Sequence, residues 1–298
     1  MTTRTATSIG FTAILLWSLL ALLTVLTGEI PSYQSAVPTF QLLAMTFLIG
    51  GLIGMANWLK RPAGPKSLRQ KPVVWVLGLG GLFGYHALYI AALRLAPAAP
   101  AEVGLLNYLW PLLIVLFSSL LPGEHLKRAH IAGALLGFTG VVVLLAGRDT
   151  LEVRTEYLIG YGCAVVAAFV WAGYSVLSRR FGQVPTSAVA GFCLATALLS
   201  FLCHILFEVT VWPLTLQQWL AILALGVGPL GGAFYVWDIG MKHGDIRLLG
   251  IASYAAPVLS TLLLVMLGYD KPTLALAIAC GLIVIGALVA TVTPKSRS

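Results

Sequence analysis

The stretch "VVWVLGLGGLFGYHALYIAAL", residues 73–93, contains no formally charged side chain from end to end. At a rise of 1.5 Å per residue a helix of that length crosses roughly 30 Å, the depth of the hydrocarbon core of a bilayer. No water is available there to satisfy N–H and C=O groups, so such a stretch lies in lipid only as a helix that pairs them internally. Its second half nevertheless carries Tyr85, His86 and Tyr89, polar side chains where lipid favours leucine.

Nine more runs of the same kind surround it, at 9–27, 39–59, 103–121, 131–146, 158–178, 188–207, 219–239, 248–267 and 274–292. The run 131–146 is the shortest, and Ala129–His130 extend it. No intervening segment is long enough for a soluble domain. The 298-residue chain is 59% hydrophobic and only 9% charged, with a mean hydropathy of +0.95. These figures predict an all-α integral membrane protein of ten transmembrane helices. The first run lacks a small-residue cleavage site and is one of ten, so it reads as a retained helix. Cys163, Cys193, Cys203 and Cys280 all fall inside apolar runs, without paired spacing or His partners. Packing is their expected role, and neither a disulfide framework nor a metal site is indicated.

A net charge of +8 would suit a nucleic-acid binder, but its placement speaks against one. With ten crossings and a cytoplasmic N-terminus, fourteen of the eighteen basic residues fall in cytoplasmic segments. Arg94, Arg148, Arg154 and Lys271 alone fall outside. Basic residues accumulate on the cytoplasmic side of membrane proteins, so both termini are expected there. The excess reports topology, and the expected surroundings are a lipid bilayer with no nucleic-acid partner.

The two halves resemble each other. An offset of 146 places Tyr89 on Tyr235, Tyr108 on Tyr254, Pro111 on Pro257, and Gly140 on Gly286. In the first helix of each half the offset is 154, matching Trp17 to Trp171. The expected division is 1–147 and 148–298, each a five-helix repeat. Five crossings is an odd number, so the second copy crosses in the opposite sense. Inverted repeats of this kind form a substrate site at their interface and rock about it.

Several motifs carry a specific resemblance. "LWS" at 16–18, "NYLWP" at 107–111 and "LPGEHLKRAHIAGALLGFTGVVVLLAG" at 121–147, answered by "LGYDKPTLALAIACGLIVIGALVA" in the second half, resemble the drug/metabolite transporter superfamily, in its ten-helix, EamA-type form. The resemblance spans nearly the whole chain. Within the superfamily "GYHALYIAAL", with Trp17, "NYLWP" and Trp171, is similar to the exporters of aromatic amino acids. That similarity implies a secondary transporter in a bacterial inner membrane. No cofactor is expected, and the oligomeric state stays open, since five plus five helices already close a path within one chain. It also implies that Trp17, Tyr85, His86, Tyr89, Tyr108, Trp110 and Trp171 line a central cavity.

Helix geometry supports part of this independently. Tyr85 and Tyr89 are one turn apart on one face, with His86 about 100° further round. Tyrosines often anchor at membrane interfaces, but this trio lies past the midpoint, where a histidine is costly unless it faces protein or water. Tyr174, Tyr235 and Trp237 are singled out with the residues above as aromatics within apolar runs, whereas Trp58, Trp75, Trp212 and Trp219 sit at segment ends and read as interfacial belt residues. Tyr108 and Trp110 are about 200° apart on a regular helix, so both face one pocket only if Pro111 distorts it.

Asp238 is the one carboxylate inside an apolar run. Two readings stay open for it: a cavity-facing proton or ammonium partner, which with His86 would make a coupling pair, or a boundary residue paired with Lys242 one turn on. Glu124 precedes the fifth helix, where a carboxylate complements the helix dipole. Glycines crowd the third and eighth helices and suggest elements that bend. An exporter of cationic drugs is disfavoured by a first helix, Ile9 to Thr27, without a carboxylate. An intramembrane enzyme is disfavoured by the lack of HExxH and of a histidine near Ser175 or Ser178 in sequence, and no catalytic residue is assigned. The chain has no Walker A motif, and the sequence leaves proton-coupled and facilitative transport equally open.

Overall fold

In a computed structural model, which describes residues 1–28, 37–58, 64–123, 126–147 and 151–291, the apolar runs become ten helices long enough to cross a bilayer. They are α1 (Thr3–Leu26), α2 (Thr39–Trp58), α3 (Pro72–Leu95), α4 (Pro100–Ser118), α5 (Arg128–Ala146), α6 (Thr155–Arg180), α7 (Thr186–Phe207), α8 (Leu216–His243), α9 (Ile246–Met266) and α10 (Leu274–Thr291). Among the described residues there is no strand. Glu124 lies outside them. The helix starts follow local chemistry. Pro72 and Pro100 occupy first turns, where a missing N–H costs nothing. Thr215 and Gln218 form a reciprocal capping box. The Asp245 carboxylate accepts from the N–H groups of Arg247 and Leu248, each at 3.1 Å. α5 begins at Arg128, so Ala129 and His130 are helical.

Four pairings dominate the packing: α5 with α10, α2 with α7, α1 with α8, and α3 with α6. Exchanging each helix for the one five places along the chain maps the first two pairings onto themselves and the last two onto each other. Apolar burial does not drive association between helices in lipid, so close backbone contact through small residues has to supply it. A Cβ on Gly133 would lie 2.5 Å from the Gly286 carbonyl oxygen, and one on Gly286 would lie 2.6 Å from that of Gly133. α1 and α8 meet in the same way at Gly10 and Gly240.

Five helices depart from regular α geometry. α1 is interrupted at Leu19 and α4 at Tyr108–Leu109. α8 is interrupted over Gly228–Gly231 and α9 at Ser253–Tyr254. α3 contains a π-turn over Gly80–Gly84, where the Tyr85 N–H reaches back to the Gly80 carbonyl. The α4 and α9 interruptions fall on the matched residues Tyr108 and Tyr254, three before Pro111 and Pro257. Neither proline has an N–H to give the carbonyl four residues earlier. The glycine-rich α3 and α8 are distorted at corresponding depths, and Gly231 is forced by contact, because a Cβ there would collide with the Gly226 carbonyl and the Gly50 backbone.

Three expectations need correction. Trp58 is buried and donates from Nε1 to the Ser187 carbonyl at 3.2 Å. Trp75 packs edge-on against Phe192 and donates to the Leu68 carbonyl. Both are held by protein, and only Trp212 and Trp219, exposed and stacked at 6.3 Å, behave as belt residues. α8 continues to His243, past the expected end at 239, and the Asp238 carboxylate is 3% exposed. The four cysteines are free thiols within helices.

The Gly133–Gly286 contact makes a direct prediction. Gly286→Val wedges α5 and α10 apart and costs roughly 1–3 kcal/mol, the usual range for overpacking. A melting temperature in detergent should fall by several degrees, whereas Gly281→Ala, where a Cβ meets open space, leaves it unchanged.

Candidate functional site

Four tryptophans from four helices meet at the centre of the bundle. Trp17 stands just before the α1 interruption, Trp110 just after that of α4, Trp171 midway along α6, and Trp237 in the second segment of α8. All six pairings among them are ring contacts, with centroids 5.0 Å apart for Trp17–Trp237 and up to 6.3 Å for Trp171 with Trp110 or Trp237. Most are edge-on, the geometry that brings a positive ring edge to a negative ring face and adds about 0.5–1.5 kcal/mol per pair beyond burial. Trp237 is also fixed by its Nε1–H, which donates to the Ser175 hydroxyl at 3.0 Å.

The trio in α3 joins this base. Tyr85 packs on Trp171 at 5.3 Å, stands parallel to Tyr89 at 6.3 Å and meets His86 edge-on at 5.0 Å. His86 also touches Phe47 and Phe234, and Phe234 in turn touches Trp171. His86 Nδ1 lies 2.6 Å from the Leu82 carbonyl. A carbonyl only accepts, so Nδ1 carries the hydrogen, and the neutral ring keeps Nε2 as an acceptor. The π-turn just before Tyr85 sets the direction in which this face of α3 points. Asn107 reaches across from α4, donating from Nδ2 to the Tyr85 hydroxyl at 3.0 Å.

Burial divides the group. Trp110, Trp171 and Trp237 are buried, while Trp17, Tyr85, His86 and Tyr89 are only half-buried. The second segment of α1, Leu20–Leu26, buries none of its residues, against six in Thr3–Ser18. The tryptophans thus form a closed floor, and the Tyr–His wall above it, toward the face where α1 ends, is loosely covered.

Six of the seven cavity residues expected from sequence are therefore in one ring network. The seventh, Tyr108, makes no ring contact with it among the described residues and packs against the cluster that contains Tyr254, but it lies close enough to Tyr89 and Tyr85 to interact electrostatically with both. Phe47 and Phe234 gave no sequence signal beyond apolarity, and Asn107 only that of an amide within an apolar run. Trp237 was visible as an aromatic within an apolar run.

Polar knots close both ends. At the face where α1 begins, both carboxylate oxygens of Asp238 lie near Lys242 Nζ, at 2.7 and 2.8 Å. Lys242 also donates to the Val184 carbonyl, and the Thr186 hydroxyl donates to Asp238 at 2.6 Å. Asp238 is thus paired with Lys242, and the pair is buried in protein. Arg179 Nη1 donates to the carbonyls of Met241 and Gly244 that end α8. At the opposite face the buried Glu208 carboxylate receives Arg94, the Phe40 and Gln41 N–H groups at the start of α2, and His204 at 3.1 Å.

A ten-helix bundle whose interrupted helices surround an aromatic centre, with buried ion pairs toward both faces, is the architecture of a membrane transporter. The EamA-like transporter family matches residues 5–146 and again 158–292, and the chain belongs to that family. It is 61% identical over 296 residues to the aromatic amino acid exporter YddG of Ancylobacter novellus, covering 99% of this chain and 100% of that one. It is 29% identical to the exporter of the same name from Salmonella typhimurium and 28% to that of Escherichia coli, each over 90% of both chains. A crystal structure 61% identical in sequence superposes with a TM-score of 0.91 over 97% of both chains.

The buried ion pair yields a second prediction. Lys242→Met strands the Asp238 carboxylate with one hydroxyl donor and costs about 3–5 kcal/mol, whereas replacing both partners by apolar residues is far milder. In thermal unfolding the Asp238→Leu/Lys242→Met double variant should melt well above the Lys242→Met single variant. Equal melting temperatures would show that the two residues do not act as a unit.

Proposed function

We propose that this protein exports aromatic amino acids across a bacterial inner membrane by alternating access between two inverted five-helix repeats, 1–147 and 148–298. The observation that carries the substrate class is the ring network of Trp17, Tyr85, His86, Tyr89, Trp110 and Trp171, half-buried on one side and backed by buried tryptophans on the other. A substrate ring laid against such a wall gains offset or edge-on stacking, and its ammonium group is favoured over an aromatic face. Three similar proteins bear the name of aromatic amino acid exporters, which supports the same reading. The inverted repeat is supported by the doubled family match, the exchange-symmetric packing and the odd number of helices per half. The basic residues support cytoplasmic termini. Asp238 is neutralised by Lys242, which leaves a cationic drug no free carboxylate there. Among the ring residues His86 is the one whose ordinary range lies near neutrality, and it is the coupling group if transport uses a proton gradient.

In proteoliposomes the protein should carry Phe, Tyr and Trp about tenfold better than Leu, the ratio that one added ring contact supports. Tyr89→Ala should remove most of that preference at normal levels of insertion; equal wild-type uptake of Leu and Phe would leave the assignment without support. If His86 couples transport to protons, His86→Ala abolishes dependence on a pH gradient but keeps exchange between substrate pools. Indifference of the wild type to the gradient would make transport facilitative. For topology, in a background lacking the native cysteines, Val153→Cys should react with an impermeant thiol reagent added outside intact cells and Lys66→Cys should not.

A further inference from the structure

Asn107 is held in a way that packing does not explain. The side chain is buried at mid-span, its Nδ2 donates to Tyr85, and its Oδ1 has no hydrogen-bond partner. A buried acceptor left unpaired is costly, and the few that proteins keep call for a functional account. The backbone carbonyl of the same residue is deprived as well, because the residue four places on is Pro111, which has no N–H. One residue thus presents two oxygen acceptors at the interruption of α4, next to the ring network.

The matching position in the second half behaves differently. Ser253 lies 146 residues on, and its hydroxyl donates to the Leu249 carbonyl at 2.7 Å. Asn107 is thus open where its own counterpart, Ser253, is satisfied, so exchange of the halves does not account for it. The chemistry that satisfies two nearby carbonyl oxygens is a group with several N–H donors and no lone pair, which describes a primary ammonium. A carboxylate would be repelled by the same oxygens.

Resting on the aromatic amino-acid reading, we propose that Asn107 recognises the α-ammonium group of the substrate through Oδ1, with its own backbone carbonyl beside it, and so determines specificity for amines among ring-bearing compounds. Tyr85 connects the head-group and ring sites: its hydroxyl accepts from Asn107 and its ring packs on Trp171. Because Oδ1 is covered in this structure, the half-buried Tyr85 side chain moves aside as the ammonium enters. The substrate ring then stays against the Trp171 side while its head group turns toward α4.

The test compares three ring compounds on the full-length protein in detergent: phenylalanine, phenethylamine, which lacks the carboxylate, and 3-phenylpropionate, which lacks the amine. Affinity is read from quenching of tryptophan fluorescence. The wild type should bind the two amines at least tenfold more tightly than 3-phenylpropionate, the size of one charge-assisted hydrogen bond. Asn107→Leu should lower both amines to the level of 3-phenylpropionate and leave that compound unchanged, while Asn107→Asp, which keeps an acceptor, should retain phenethylamine. Unchanged amine binding in Asn107→Leu, or equal loss of all three, would overturn the proposal, as would a wild-type preference for 3-phenylpropionate. If Asn107→Leu does not fold, loss of phenethylamine by a folded Asn107→Asp overturns it as well. Binding of the rings without preference for amines defeats the role of Asn107 alone. Binding of none of the three defeats the aromatic reading together with it.

Discussion

Hydrocarbon does not hydrogen-bond, and that fact constrains the rest of this structure. A helix that crosses lipid pairs every backbone N–H and C=O within itself, so any interruption must be sheltered by protein or face a polar space. Five helices are interrupted, and four of the interruptions stand beside a ring of the central network. Leu19 follows Trp17 closely, Gly84 precedes Tyr85, Leu109 precedes Trp110, and Gly231 lies three residues before Phe234. The fifth, in α9, is supported by α4: Gly250 sits against the Pro111 carbonyl. α2, α5, α7 and α10 run without such breaks and carry the two pairings that exchange onto themselves. The bundle thus separates into a regular scaffold and an irregular centre, with α6 as the regular helix that bears Trp171.

The contacts that would have to change in an access cycle follow from that division. α1 meets α8 through Gly10 and Gly240 at one face, and α6 meets α3 through Gly160 and the Ala92 carbonyl at the other. The pairings are related by exchange of the halves, yet they seal opposite ends. Ion pairs accompany both seals, Asp238–Lys242 near the first and Arg94–Glu208 near the second. Buried pairs of this kind add little net stability compared with apolar packing, but they penalise geometries that separate them, which suits two discrete states better than a continuum.

Helix number and extent were legible because hydropathy in lipid has a single solution. The ten runs and the ten helices differ mainly at their ends, where polar caps such as Thr2, Thr215 and Asp245 add a turn that hydropathy does not register. The ring network was largely legible too, since tryptophan and tyrosine favour the membrane boundaries and a mid-span histidine is costly unless it faces protein or water. Phe47 and Phe234 were not, because phenylalanine is at home in lipid and in a pocket alike. Trp58 and Trp75 were misread for the converse reason. Position along a helix reports depth in the membrane but not direction round the axis, and both turn toward α7.

The distribution of polarity around the rings narrows what the centre can do. The tryptophan floor, buried except at Trp17, offers stacking but little hydrogen bonding at Trp237, whose indole is already engaged with Ser175. The half-buried wall offers an imidazole acceptor at His86 Nε2 and the Tyr85 hydroxyl, backed by the Asn107 amide. The charged residues near the site are not on offer, for Asp238 and Lys242 neutralise each other and Glu208 is committed to α2, Arg94 and His204. A centre with aromatic faces, neutral hydrogen-bonding groups and no free formal charge suits a ligand that carries a ring and is itself net neutral. A fixed charge would favour one end of a zwitterion strongly enough to retain it, whereas neutral donors and acceptors hold both ends weakly enough for release on the far side.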